Sequence, residues 1–407
     1  MEERCTREQS DVDLSAGLGN EFHQGRCQAL LTAIERSNLD VLLVVDPVSI
    51  AYLTGFYHIA TERPLALGLD AQGECFAVLP RLEREHFVER CSWIDDVDIF
   101  FDYPEGNWAW VAERLAQRGY AQQRVGLDLA NMVMSDPLDA FYNMRERLGE
   151  GVRNGHHLVA DLRMVKQPEE IALFRIASRY SDYVSEVGFS SLAPGVSEYE
   201  IHETIRQAVM KRMLSQVPRI VEVNGYQRGI LNGRTLFGGS SSLPHGPQGT
   251  KRLEQGAGVM ITYGVSVFSY SGETERCGFF GRPDPVGKTR FEVMLEAQTA
   301  GIEAIRPGVR CCDVWAEVVR VAERHGMEDA LMHHAGHGKG LELHENPYLD
   351  PGDETELRPG MMLSCEPGLY FPGEFGFRHS DTILVTRTGH ERLTQYPRDL
   401  ESLTIEP

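Results

Sequence analysis

HHAGHGKGLELHE, residues 333–345, is the stretch that decides how this chain is interpreted, because it holds His333, His334, His337 and His344. The spacing of four between His333 and His337 would suit two ligands on one face of a helix. Gly336, Gly338 and Gly340 disfavour a helix, however. We predict loop and strand with close backbone approach. So many histidines are hard to explain as core packing, so the segment is a candidate site.

A second candidate segment lies upstream. Residues 263–276 read YGVSVFSYSGETER and predict two strands with a bend near Gly272. Alternation along a strand puts Glu273 and Glu275 on the same face. Two carboxylates on one face repel unless a cation, a metal or a proton separates them. The alternative to a functional pair is a solvent-exposed strand face.

Two shorter segments add one histidine and one carboxylate. SLPHG, residues 242–246, places His245 in a loop, where a surface role is the alternative. Glu366 follows the apolar run 361–365 and precedes Pro367, which favours extended geometry. A carboxylate at the end of a buried strand is costly unless it is paired. Glu366 is therefore a functional candidate, and Arg378 lies in the GFRHSD segment that follows it.

The rest of the chain predicts two domains. Helix and strand patterns alternate through the first third and predict an α/β domain with a partly parallel sheet, residues 1–160. The pattern weakens over residues 149–160, where we place the boundary. A long helix then begins after Pro168, with two glutamates in its first turn. Strands dominate from Gly256, so residues 161–407 are predicted to form an α+β domain with a curved antiparallel sheet.

Composition argues against several classes of partner. The 407 residues include 60 acidic and 40 basic side chains, a formal net charge of −20, which disfavours nucleic acid. No apolar run approaches the roughly 20 residues of a membrane helix, and the polar start is not a secretory signal. Eight cysteines without a CxxC pair predict a reduced, cytoplasmic protein.

Together these segments resemble the pita-bread family of creatinase, prolidase, aminopeptidase P and methionine aminopeptidase. The resemblance covers nearly the whole chain and is strongest from His245 to Asp381. It implies a pita-bread catalytic domain. Metallopeptidase members hold two metals with two aspartates, a histidine and two glutamates; the matching positions here are Thr262, Glu273, His337, Glu366 and Ser380. A metal pair needs bridging carboxylates, so a dinuclear site is not expected.

The resemblance is closest to the metal-free branch of creatinase and ectoine hydrolase. It implies a hydrolase that cleaves an amide, amidine or guanidino C–N bond of a small substrate without an obligatory metal or other cofactor. His245 would be the general base or proton shuttle. Glu275 and Glu366 would bind a cationic group, or one of them would attack as a nucleophile. His333 and His337 would stabilise developing charge or protonate the leaving nitrogen.

The resemblance also implies substrate-binding residues and a partner. Creatinase takes an arginine for the substrate carboxylate from the neighbouring subunit, and the matching residue here is Arg63. We therefore expect a homodimer in which Arg63 reaches the neighbouring site. His344 and Arg378 are expected to bind substrate as well.

Two alternatives stay open. One is a Xaa-Pro dipeptidase or aminopeptidase with a single divalent metal, manganese, zinc, cobalt or iron. Its residues would be Glu273, His337 and Glu366 for the metal and His245, His333 and His344 for the substrate. The other is a domain that has lost catalysis and binds proteins or peptides. Thr262 and Ser380 permit this second alternative, but retention of all the histidines argues against it.

Overall fold

The computed structural model describes residues 17–100, 107–129, 137–217 and 230–407. The described chain divides into two compact units, residues 17–163 and residues 164–217 with 230–407. An α/β unit followed by an α+β unit confirms the predicted fold class. The predicted boundary between residues 160 and 161 falls within the helix His156–Met164 and stays a prediction.

The first unit is a mixed sheet with helices packed against it. Its elements are α1 (Asn20–Arg36), β1 (Val41–Val44), α2 (Pro47–Thr54), β2 (Ala66–Asp70), β3 (Cys75–Pro80), α3 (Arg84–Arg90), β4 (Asp96–Phe100), α4 (Asn107–Leu115), β5 (Val125–Asp128), α5 (Pro137–Leu148), β6 (Arg153–Asn154) and α6 (His156–Met164). The strand order is β4-β3-β2-β1-β5-β6. β1 is parallel to β5 and antiparallel to β2, so the sheet is partly parallel, as predicted.

The start of α2 shows how local sequence fixes an element of this unit. The Asp46 carboxylate accepts hydrogen bonds from the backbone N–H groups of Val48 and Ser49 at 3.3 and 2.9 Å. Pro47 occupies the first turn, where a missing N–H costs nothing. Asp46 therefore ends β1 and begins α2 within three residues.

The second unit contains the larger sheet. Its elements are α7 (Pro168–Ser190), α8 (Glu198–Gln216), β7 (Leu231–Phe237), β8 (Gly258–Val267), β9 (Tyr270–Phe280), α9 (Pro285–Ala304), α10 (Cys311–Arg324), β10 (His337–Gly338), β11 (Glu345–Tyr348), β12 (Met362–Cys365), β13 (Gly368–Tyr370), β14 (Gly376–Arg378), β15 (Ser380–Val385), β16 (His390–Arg392) and β17 (Thr404–Ile405). The main path runs β11-β10-β12-β15-β9-β8-β7, with antiparallel neighbours throughout. Among the described helices, none is both long and apolar enough to cross a membrane.

The β8–β9 hairpin corrects one prediction. The turn lies at Phe268 and Ser269, whose φ angles are 48° and 65°, and not near Gly272. Positive φ at both central residues is typical of the tight turns that match strand twist. Gly272 instead lies within β9, where an ideal Cβ would come within 2.5 Å of the backbone nitrogen of Ser178 in α7. The glycine therefore permits close helix–sheet packing rather than a bend.

Candidate active site

One face of the second sheet carries a row of polar side chains. Register pairs Thr262 of β8 with Glu275 of β9, and Glu275 with Ser380 of β15. Residues directly opposite each other project from the same face, and so does Glu273, two positions before Glu275. All four residues are buried. The predicted same-face pair of glutamates thus lies inside the protein and not on a solvent-exposed face.

Glu273, His337 and Glu366 form a cluster that could hold a metal ion. One donor atom from each lies within 4.8 Å of the others. His337 begins β10, and Glu366 directly follows β12, the neighbouring strand. The backbone N–H of Glu366 donates to the carbonyl of Ala335 at 2.7 Å, which fixes the end of β12 against the histidine-rich segment.

The hydrogen bonds of His337 leave one ring nitrogen unused. Its Nδ1 lies 2.9 Å from the carbonyl oxygen of Gly338, an acceptor only, so we assign the hydrogen to Nδ1. Nε2 faces the Glu366 Oε1 atom at 3.1 Å, a contact that is a hydrogen bond only when Nε2 also carries a proton. Two buried acceptors facing each other need a proton or a cation between them. The donor set therefore fits one divalent metal.

The electrostatic surroundings of Glu366 favour its ionised form. Burial alone would raise the pKa of this carboxyl. When the His337 ring is protonated, its attraction and that of Arg378 outweigh this effect and hold the pKa of Glu366 well below its ordinary value. The group is therefore a carboxylate at neutral pH, as a metal ligand or a binder of a cationic substrate must be.

Glu273 is already engaged by two protein donors. The Lys339 ammonium donates to its Oε2 at 3.0 Å, and the Ser380 hydroxyl donates to its Oε1 at 2.6 Å. Lys339 is completely buried. Sequence reasoning assigned no role to Lys339, although a lysine between two glycines, two residues before the apolar Leu341, was a usable signal.

A chain of hydrogen bonds joins Arg378 to the histidines. Arg378 Nη2 donates to Glu275 Oε1 at 2.8 Å, and Nη1 donates to the Tyr370 hydroxyl at 3.1 Å. That hydroxyl lies 2.9 Å from His333 Nε2, and His333 Nδ1 lies 2.7 Å from the carbonyl oxygen of His334. Nδ1 therefore carries the hydrogen and Nε2 accepts from Tyr370. Tyr370 was not among the predicted residues.

Burial in this network shifts the pKa values of His333 and Glu275 in opposite directions. Burial lowers the pKa of His333 to about 4, so the ring is neutral at pH 7. Burial raises the pKa of the Glu275 carboxyl, and the Arg378 guanidinium, which contacts both of its oxygens, opposes that rise. Arg378 thus uses its donors on protein groups, so in this structure it positions Glu275 and Tyr370.

The other predicted residues of this unit lie at the edge of the cluster. His245 is exposed in the turn after residues 238–241. The carbonyl of its neighbour Pro244 lies 3.5 Å from Arg378 Nη1, which places the turn beside the network. His344 is also exposed, and its ring centroid is 4.1 Å from that of His337. The roles predicted for both histidines stay predictions.

Arg63 belongs to the first unit. It is partly buried in the segment between α2 and β2, and its guanidinium lies 3.1 Å from the Glu62 carboxylate. Its predicted contact with a substrate in a neighbouring subunit, and the homodimer that this contact requires, stay predictions.

Comparison with known proteins decides the family. Residues 172–387 match the model of metallopeptidase family M24, and residues 26–165 match that of the creatinase/prolidase N-terminal domain. The chain belongs to metallopeptidase family M24. The resemblance inferred from the His245–Asp381 segments is thereby confirmed.

Individual relatives cover nearly all of this M24 chain. "Putative dipeptidase YkvY" of Bacillus subtilis is 30% identical over 92% of the chain and 99% of its own length. A Xaa-Pro dipeptidase of Pyrococcus horikoshii is 26% identical over 92% of the chain and 98% of its own length. The crystal structure of dipeptidase PepE from Mycobacterium ulcerans superposes with a TM-score of 0.84 and 26% identity, covering 96% of this chain and all of that one.

These matches establish the general chemistry. The M24 chain is a C–N bond hydrolase of the creatinase/Xaa-Pro peptidase type, which confirms the prediction of an enzyme. They do not support the expectation that no metal is needed. The relatives are named as dipeptidases, and the chain itself retains a metal-capable Glu–His–Glu cluster.

Proposed function

We propose that this M24 chain hydrolyses the peptide bond of Xaa-Pro dipeptides, with one divalent metal held by Glu273, His337 and Glu366. The convergence of these three buried donors, with His337 Nε2 directed at Glu366 Oε1 at 3.1 Å, is the observation that carries the proposal. A divalent ion supplies polarisation of a carbonyl and a more acidic water when it is bound. The names of the relatives supply the substrate class.

The surrounding residues would orient the peptide and move protons. Arg378 and Tyr370 hold Glu275 and His333 in one arrangement, so a peptide would meet fixed dipoles instead of mobile side chains. Exposed His245 would keep the role of general base or proton shuttle that the resemblance assigns to it. His344, beside His337, would contact the part of the substrate nearest to solvent.

A second candidate function is hydrolysis of a small amide, amidine or guanidino substrate without metal. The donors from Lys339 and Ser380 to Glu273 favour it, because they occupy one lone pair on each carboxylate oxygen and compete with a metal for Glu273. In this case a protonated His337 would pair with Glu366. Glu275 and Glu366 would then bind the N–H-rich or cationic group of the substrate.

Metal content and chelator sensitivity separate the two candidates. The untagged protein would be analysed by elemental mass spectrometry and assayed on Xaa-Pro dipeptides before and after chelation, with manganese, zinc, cobalt or iron added back. We expect near-stoichiometric metal and hydrolysis that is lost with chelator and restored by metal. Chelator-resistant turnover of cyclic amidines, guanidino acids or N-acyl amino acids, with metal well below one per chain, would favour the second candidate.

Glu366→Gln tests the cluster in either case. We expect activity to fall by roughly 100-fold or more, because an amide neither carries the charge nor ligates a metal as a carboxylate does. The matched control is Glu374→Gln, an exposed glutamate in the loop between β13 and β14. Full activity of Glu366→Gln would contradict both candidate functions.

A further inference from the structure

Lys339 is a buried cation held in a fixed position. Its side chain has no solvent exposure, and its ammonium lies 3.0 Å from Glu273 Oε2. Its backbone N–H donates to the carbonyl of Met362 in β12 at 2.9 Å. Glycines flank it, and a Cβ at Gly340 would come within 2.1 Å of the Glu345 carboxylate. The backbone of Lys339 is therefore held against β12, and its buried side chain ends at Glu273.

The residues around Lys339 lack what a second metal needs. Thr262 and Ser380 place hydroxyls beside Glu275 in the strand register, where the resemblance to metallopeptidases puts an aspartate and a glutamate. Neutral hydroxyls neither offset the charge of a divalent ion nor bridge two ions. In addition, the Ser380 hydroxyl already donates a hydrogen bond to Glu273 Oε1 at 2.6 Å.

The charges of the site also disfavour a second metal ion. Glu273 is paired with Lys339 and Glu275 with Arg378, so among the described carboxylates of this site only that of Glu366 forms no ion pair with a lysine or an arginine. One divalent ion would leave a single positive charge, which a bound anion or hydroxide can offset. Two divalent ions would leave three positive charges in a buried cluster, which is strongly unfavourable.

We infer that the Lys339 ammonium takes the place of the second metal ion, so that Glu273 would be shared between this lysine and one metal and the site would hold at most one divalent ion. Each carboxylate oxygen of Glu273 keeps a second lone pair beside its protein donor, so a single ion is still accommodated. Repulsion by the ammonium, and its competition for Glu273, would weaken the binding of that ion. The inference rests on the proposed function only in taking Glu273, His337 and Glu366 as ligands.

Cobalt binding to the whole chain tests this inference without an activity assay. Apoprotein would be dialysed against Co²⁺, with the visible absorption of the bound ion and elemental analysis as readouts. We expect at most one Co²⁺ per wild-type chain at saturation. In Lys339→Met the Co²⁺ dissociation constant should fall roughly 10- to 100-fold, because a like charge beside the ion is removed.

Lys166→Met is the matched control. Lys166 is a second buried lysine of the described part of this unit, and its ammonium lies 3.3 Å from the carboxylate of Glu345 instead of Glu273. Its substitution should destabilise the fold without tightening Co²⁺ binding.

Two Co²⁺ ions per wild-type chain, or a folded Lys339→Met that binds Co²⁺ no more tightly than wild type, would overturn the inference. One bound Co²⁺ without hydrolysis of any Xaa-Pro peptide would contradict the proposed function and leave the inference standing.

Discussion

At the scale of single residues, the sequence identified which side chains carry chemistry better than it identified their partners. Glu273, Glu275, His337 and Glu366 were singled out by type and position, and the structure brings all four to the same part of the sheet. Lys339 was missed because a lysine is almost always exposed. Its burial depends on Glu273, which lies 66 residues away along the chain.

Arg378 illustrates the same limit. The sequence placed it in the site and predicted contact with substrate, but it could not reveal that Glu275, 103 residues away, takes its donors. Both side chains are less than a tenth exposed, and Tyr370 and Pro244 accept the remaining hydrogen bonds. Such a pair is costly to break from one side, because the remaining charge is left buried and unpaired.

Arg378→Met is therefore expected to lower the free energy of unfolding by about 3–5 kcal/mol. The double variant Arg378→Met/Glu275→Met removes both charges and should recover most of that loss, since two apolar side chains replace the pair. Urea unfolding of the wild type, both single variants and the double variant measures the coupling. Activity should stay low in all three variants. A fully active double variant would exclude both residues from function.

At the scale of elements, the sequence predicted most strands and helices of the second unit but placed one turn wrongly. The segment 263–276 contains Gly272, a residue type that commonly marks a bend, whereas Phe268-Ser269 carries only the weaker turn signal of a serine. The structure puts the turn at the weaker signal because that register keeps β9 continuous from Tyr270 to Phe280. Gly272 is required instead by its close contact with α7, a helix whose position cannot be predicted from sequence periodicity.

Gly272→Ala should consequently destabilise the second unit. The added methyl group would lie 2.5 Å from the nitrogen and 2.6 Å from the Cα of Ser178, both backbone atoms that no rotamer change can move. We expect a loss of about 1–3 kcal/mol or more, typical of overpacking, measured by chemical denaturation. Gly352→Ala is the control, because its Cβ would meet only the Asp350 carboxylate at an ordinary 3.4 Å. Equal stability of the two variants would mean that α7 can shift at no cost.

At the scale of the whole molecule, stability should depend on pH through imidazoles that are buried in a neutral state. In the first unit, burial lowers the pKa of His58 to about 4 from an ordinary value of 6.5. Its ring stacks on Phe56 with centroids 5.4 Å apart, and its buried Nδ1 has no hydrogen-bond partner among the described residues. Between pH 6.5 and 4 the unfolded chain thus binds a proton that the folded chain rejects.

The sign of this linkage predicts acid sensitivity. Stability from the neutral His58 ring is fully present above pH 6.5 and is lost as pH falls toward 4, by up to about 1.4 kcal/mol per pH unit. His58→Phe should flatten the slope by that amount, since phenylalanine keeps the stack on Phe56 and takes up no proton.

His86→Phe is the matched control, because His86 also contacts Phe56, at 4.7 Å, but is half-exposed. Urea unfolding at pH 7, 6 and 5, followed by the fluorescence of Trp93, Trp108 and Trp110 in the first unit, measures the slope. An unchanged slope in His58→Phe would show that this imidazole takes up its proton over the same pH range in the folded and unfolded chains, which would contradict the prediction.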